Sequence, residues 1–252
     1  MAEKIITLER LAHFKEKQDA ANEVKFALKG EIGNVGVATP DKAGIIKPGD
    51  AFDVAEDGTL SLYSKIAVNT FTANPSQVER GVTVKDVTLA WSFNKTPKSV
   101  TLDKAAQDVA SKGATLTGVN LTADKTWTLT ATDARDASAS RTVSLVFRDS
   151  RRWGVGADLA ADAVDDAFVN GLTGELATGR AKTFTVNAAA GQYIYYAFPA
   201  SWGTPRFFVG GFEGGFNLLK TFDHVNASGA TVSYVVWKST NSGLGNTSVE
   251  VK

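Results

Sequence analysis

The period at which hydrophobic residues recur changes along this chain, and the changes divide it. From about residue 6 to 29 no Gly or Pro interrupts a run of good helix formers, which predicts an α-helix. On a 3.6-residue wheel Phe14, Ala21, Val24 and Leu28 fall within roughly 80° of one another, and Leu8, Leu11 and Phe26 make a second apolar strip. Two strips imply burial on two sides, and a lone helix of this length is marginal in water. The helix is therefore expected to pack on copies of itself, on a larger assembly, or on its own chain's next domain. A strict heptad seam does not fit, because Lys17, Gln18 and Lys25 interrupt it.

Gly30, Gly33 and Gly36 end that pattern and open a connector. Beyond it Pro48-Gly49 signals a turn, Phe52-x-Val54 and Leu60-x-Leu62 alternate as half-buried strands, and Asp57-Gly58 is a strong two-residue hairpin turn. So small a hairpin cannot bury its own apolar face, so neighbouring chains are expected to cover it. From about Tyr63 to Asp149 the period is two: Val87, Leu89, Trp91 and Phe93 share one face, as do Trp127, Leu129 and Ala131, and then Val143, Leu145 and Phe147. Turns at Asn94-Lys95-Thr96-Pro97, Thr122-Ala123-Asp124-Lys125 and Asp133-Ala134-Arg135-Asp136 part these runs, which predicts an immunoglobulin-like β-sandwich with Trp91 in its core.

Residues 151–252 open with Arg151-Arg152-Trp153-Gly154-Val155-Gly156. An acidic first turn and a following glycine predict a short helix from about Asp162 to Asn170 ending at Gly171. The rest reads as strand and turn. Tyr193–Phe198 and Val232–Trp237 are apolar on both faces, as central strands are. The expected fold is mainly β and multi-domain, with an N-terminal α-helix and linker over 1–36, a short β-hairpin unit over 37–63, an Ig-like β-sandwich over 64–150, and a C-terminal β-sandwich-like domain with one short helix over 151–252.

Two segments resemble known phage modules. Ala43-Gly44-Ile45-Ile46-Lys47-Pro48-Gly49, followed by Asp57-Gly58-Thr59-Leu60-Ser61-Leu62, resembles a short hairpin element of phage tail-fibre, baseplate and head-fibre proteins, whose assemblies are usually trimers. The run Val87–Asp103 is similar to the immunoglobulin-like spacers of phage tail proteins, departing where those often carry Asp-Gly, since Lys104 follows Asp103. Gln192–Tyr196, Gly210–Phe216, Asn226–Gly229 and Gly243–Thr247 resemble a C-terminal domain recurrent in tail proteins of gut-type phages, which implies a setting and no chemistry.

Charge and composition narrow the chemistry. Lys plus Arg equal Asp plus Glu at 27 each, so no net field draws the chain to nucleic acid or an anionic membrane. Cysteine is absent and there are only two histidines, His13 and His224, far apart in sequence; no cofactor or metal site is expected. The charged start and the lack of an 18-residue apolar run predict neither a signal peptide nor membrane insertion. A Ser/His/Asp triad is disfavoured because His224 sits beside Asp223, which adjacency alone cannot make its orienting acid. A carboxylate pair drawn from Glu175, Glu213 and Asp223 is the remaining route to catalysis, of glycoside cleavage, but no spacing rule brings them together. The Gly210–Phe216 segment lacks the Lys-Ser/Thr and helix of a phosphate loop, so its glycines are expected to permit a tight bend with Phe212 and Phe216 pinned into the core.

Aromatic residues concentrate in the last hundred positions. Most are expected to fill a core. Trp202, in the loop Pro199-Ala200-Ser201-Trp202-Gly203-Thr204-Pro205, is the leading candidate for an exposed ligand contact, followed by Tyr196 and Phe212. The expectation is a non-enzymatic virion protein, made in the bacterial host cytoplasm. It would be a homotrimeric fibre-like tail or baseplate subunit whose N-terminal helix joins other virion proteins and whose C-terminal domain binds a host-surface glycan or protein. A head fibre or capsid decoration protein of the same architecture is the alternative, and a short polysaccharide-degrading tailspike the more distant one.

Overall fold

The structure, a computed structural model, describes His13, residues 15–17, Phe52–Val54 and residues 60–252. Of the helix expected over 6–29, His13 and residues 15–17 are helical and exposed. The two apolar strips, the glycine connector and the Pro48-Gly49 and Asp57-Gly58 turns lie outside the described residues. The chain forms two compact units, Met1–Ser64 and Lys65–Lys252. In the first, strands β1 (Phe52–Val54) and β2 (Leu60–Leu62) pair antiparallel with Phe52 opposite Leu62. Both of these side chains are exposed, Leu62 by 74%.

The second unit begins with a β-sandwich. One sheet contains β3 (Val68–Asn74), β5 (Val87–Phe93) and β8 (Gly113–Leu116). The other contains β6 (Ser99–Leu102), β7 (Ala105–Gln107), β9 (Lys125–Thr132) and the first part of β10 (Ser138–Gly156), with β4 (Gln77–Glu79) parallel to β10. Alternation does the sorting: Val87, Leu89 and Trp91 point in from one sheet, and Trp127, Leu129 and Leu145 from the other. The Trp91 indole N–H donates to the Ser111 carbonyl at 2.9 Å, so the core tryptophan leaves no unmet donor. At the β9–β10 turn Asp133, 1% exposed, accepts from the backbone N–H groups of Ile66, Arg135 and Ala137 and pairs with Lys95 at 3.0 Å.

Strand β10 is 19 residues long and does not stop at the sandwich's end. Its first half pairs with β9, Val146–Arg148 with β4, Asp149–Trp153 with β11 (Thr173–Ala177), and Arg152–Gly156 with β13 (Tyr193–Pro199). The position 150/151, read from sequence as a module boundary, lies inside this one strand. In the C-terminal part β13 is followed across the sheet by β17 (Thr231–Ser239) and β16 (Phe216–Val225). A second sheet, β12 (Lys182–Ala188), β18 (Gly245–Val251), β14 (Phe207–Val209) and β15 (Phe212–Glu213), packs on one face of the first.

The apolar-on-both-faces reading of β13 has a direct physical counterpart. Ile194, Tyr196 and Phe198 enter the core between the two sheets, while Tyr195 and Ala197 enter a second core on the opposite face. That second core is closed by Val164 and by Val169 and Leu172 of the helix Asp166–Gly171 and its end. The helix begins four residues later than the sequence suggests. Asp165 is its N-cap, accepting from the Phe168 N–H at 2.8 Å, and Ala161–Ala163 forms a separate 3-10 turn. Gly171 is the last helical residue rather than the residue past the end.

Candidate functional site

Two places in residues 65–252 gather side chains with something to do. The first is the β14–β15 tip. Val209 pairs with Phe212, and the two residues between them, Gly210 and Gly211, both have positive φ, 57° and 90°, which is the two-residue turn that follows strand twist and admits little but glycine. Glu213 is held sideways by Arg206 in a two-pronged ion pair, 2.7 and 2.5 Å, and these hydrogen bonds hold its carboxyl below the ordinary range. Arg206 and Lys252 also lie over the Phe208 ring at 5.4 and 4.7 Å. Behind the tip Phe216 stacks on Phe207, centroids 4.1 Å apart, and fixes the base of the hairpin to the core.

Phe212 stands on this braced base with 82% of its surface exposed. A Cβ added at Gly210, Gly211 or Gly214 would meet nothing within 4 Å, so the ground around the ring is open to an approaching surface. On β16, in the other sheet, Leu218 is half-exposed and lines a groove of about 150 Å³ with Pro205, Val235 and Trp237.

Of the three aromatic candidates read from sequence, the structure leaves one at the surface. Tyr196 is fully buried, its ring stacked on Phe184 at 5.4 Å and its hydroxyl donating to the Arg180 carbonyl at 2.5 Å; burial pushes its phenol far up. Trp202 is half-buried rather than exposed: a 3-10 turn, Ala200–Trp202, folds the indole back onto Phe198, 6.3 Å away and nearly parallel, and Arg180 binds the Trp202 carbonyl. The expectation that Phe212 and Phe216 are both pinned into the core holds for Phe216 alone.

The carboxylates named from sequence are occupied or exposed. Glu175 pairs with Lys182 at 2.6 Å and Arg151 at 3.2 Å, and the Lys182 hydrogen bond holds its carboxyl below the usual range. A general acid for glycoside cleavage needs the opposite shift. Asp223 is exposed on β16. Among the described residues no group of three or more His, Cys, Asp or Glu is placed to hold a metal ion.

A further concavity of about 470 Å³ lies at the end of the first sandwich, near Phe93, Pro97, Val109 and Lys112. Two of its hydroxyls are committed inside the fold, Ser92 with Thr70 and Ser111 to the Gly113 carbonyl.

The second place, invisible in the sequence, is the joint between the first sandwich and the C-terminal part. Glu79 of β4 accepts from Ser150 at 2.8 Å, from Arg152 at 3.1 Å and from Ser228 at 3.2 Å. Asn226 donates to the Arg80 carbonyl at 2.7 Å, and Arg80 pairs with Asp149 through two bonds. Gly81, φ 98°, is in contact with the opposing backbone: a Cβ there would sit 2.7 Å from the Ser228 carbonyl oxygen. Beside this joint His224, 0% exposed, directs Nδ1 to Asp166 at 2.9 Å, not to its neighbour Asp223. These contacts span 58 to 149 positions of sequence, which is why local pattern carries no signal for them.

No family model and no curated protein matches this chain. Among solved structures it is similar to the N-terminal eight Ig domains of Down Syndrome Cell Adhesion Molecule isoform 1.30.30, at 12% identity and a TM-score of 0.23, covering 68% of this chain and 22% of that one. It is also similar to an alpha-L-rhamnosidase from Dictyoglumus thermophilum, at 12% identity and a TM-score of 0.25, covering 75% and 25%. The chain thus spans about a quarter or less of each of these proteins, and at such scores neither likeness bears on function.

Proposed function

We propose that this chain is a non-enzymatic, fibre-like structural subunit of a tailed-bacteriophage virion, and that the β14–β15 tip is the part that touches the host surface. Phe212 is the observation that carries the reading. A phenyl ring exposed by 82% buries little of its surface against the fold beneath it and leaves it open to a partner. Yet it is set beside a tight two-residue turn that Gly210 and Gly211 permit, on a hairpin braced by a two-pronged ion pair, which limits the ordering a partner must impose. Such rigid aromatic anchors, ringed by weaker contacts, dominate binding energy at interfaces. The β1–β2 pair supports the same architecture. Phe52 and Leu62 lie across from each other and both are partly exposed, Leu62 the more so, as suits a small unit that other copies complete, and copies on one particle multiply a weak contact into a firm one.

The test is competition for adsorption: purified protein added to host cells before phage. Wild-type protein is expected to block adsorption, and Phe212→Ala to need at least about tenfold more protein, which corresponds to ~1.4 kcal/mol at the contact. Equal blocking by the variant, with unchanged circular dichroism, refutes the assignment of the tip. Immunogold labelling of intact particles places the subunit on tail or head.

A further inference from the structure

We propose that His224 is an acid-sensitive latch of the joint: neutral, it locks the β16–β17 hairpin against the first sandwich, and its protonation releases that hairpin. The geometry begins with burial. The imidazole has no exposed surface and is packed between Phe222 and Tyr234, ring centroids 5.8 and 4.7 Å away. The charged groups that face it come from three other elements, Asp166 from the helix, Arg152 from β10 and Glu79 from β4. Tyr234 of β17 is engaged elsewhere, its hydroxyl donating to the Ser150 carbonyl at 2.6 Å.

In the neutral ring Nδ1–H donates to the Asp166 carboxylate, which also accepts the Val225 N–H at 2.9 Å. Nε2 is then a bare acceptor, buried and without a partner in the protein. A proton on Nε2 creates a dry cation on the side of the sheet where Arg152 already carries one, with Arg152 fixed in place by Glu79 and by the Asn170 carbonyl. Asp166 and Glu79 favour the proton, but Asp166 is 42% exposed and screened and Glu79 is already paired with Arg152, whereas the imidazole has no exposed surface. The unfavourable charge is relieved by moving the strand end. That end is short: two residues on, Asn226 holds Arg80, and four residues on, Ser228 holds Glu79. What frees His224 to reach water therefore frees the hairpin from the first sandwich.

Hydrogen exchange read by mass spectrometry on the full chain, at pH 7.5 and pH 5.0 with intrinsic rates corrected, tests the latch without relying on any variant. Peptides covering 224–232 and 79–82 are expected to exchange about tenfold faster or more at pH 5.0, with β9 and β12 unchanged. Equal protection of 224–232 at the two values overturns the proposal. A His224→Gln chain, which cannot take the proton, is expected to lose the difference; if it opens in acid as the wild type does, the carboxylates of the joint and not His224 are responsible, and the proposal fails.

Discussion

Lys104 shows how a single residue departs from what its position asks. The β6–β7 turn places Leu102 opposite Ala105, leaving Asp103 and Lys104 between them, both with positive φ, 48° and 73°. Glycine is the natural occupant of the second place, and a lysine there carries a Cβ penalty of roughly 1 kcal/mol. Lys104→Gly is therefore expected to stabilise the chain by about 0.5 kcal/mol after the unfolded-state entropy of glycine is subtracted, read as a rise in denaturation midpoint at constant slope. Gly81 is the opposite case, where φ 98° and a backbone oxygen 2.7 Å from any added Cβ exclude everything else. Gly81→Ala is expected to cost about 2 to 4 kcal/mol. His224 adds a pH dependence whose sign follows from desolvation, which lowers its pKa from an unfolded value near 6.5. Between the two values the unfolded chain binds the extra proton, so the contribution of His224 is complete above pH 6.5 and fades as pH falls through the folded value. Urea midpoints should thus drop between pH 7 and pH 5 in the wild type, and drop less in His224→Gln. None of the last two effects was legible in sequence, since each depends on what a distant segment places beside the residue. The departure at Lys104 was legible only through the resemblance of Val87–Asp103 to spacers that often carry Asp-Gly there, and the positive φ of the turn was not read.

At the scale of elements, period-two alternation located the strands well, with Val87, Leu89 and Trp91, and again Trp127, Leu129 and Ala131, buried in the order expected. Alternation says nothing about where a strand changes partners, so β10 could not be seen to run through two sheets. The short helix was misplaced at its start because Asp162, Asp165 and Asp166 are equally good caps by composition; the choice falls on Asp165 because that register turns Asp166 and Asn170, one turn apart, toward the edge strand β16. There Asp166 accepts the N–H of Val225 and Asn170 donates to its carbonyl at 3.0 Å, so two side chains stand in for a neighbouring strand. The bulge between Leu218 and Lys220 interrupts the other end of the same edge. Free edges invite pairing with other chains, and Asp166→Ala is expected to uncover this one. The loss of two hydrogen bonds costs about 2 kcal/mol, and dynamic light scattering at high protein concentration should detect association in the variant that the wild type does not show.

At the scale of the whole molecule the candidate site was legible only in its ingredients. The sequence points to Gly210–Phe216 as a bend and to aromatic side chains as contacts, but which ring is left outside depends on where the sheets end: Tyr196 falls on a central strand, Trp202 on a turn that folds inward, and Phe212 on a two-residue strand at the margin of its sheet. The N-terminal unit poses the reverse problem. Its three-residue strands make a pair too small to hold together alone, and the exposed Phe52 and Leu62 are the apolar cross-strand contact that such a pair would normally bury. If other copies supply the cover, light scattering should give a mass that is a multiple, three by expectation, of the chain's 26.7 kDa. A chain beginning at Lys65, which keeps its own compact unit, should remain folded and fall to a single copy. Replacing Phe52 and Leu62 together with Ser should act in the same direction without removing any backbone, because association driven by apolar surface weakens in proportion to the area withdrawn. A full-length chain that is monomeric at every concentration would instead assign Leu62 to a contact with a different protein, and on the proposed fibre role the multiplicity of tips would then be set by the anchoring site and not by the subunit itself.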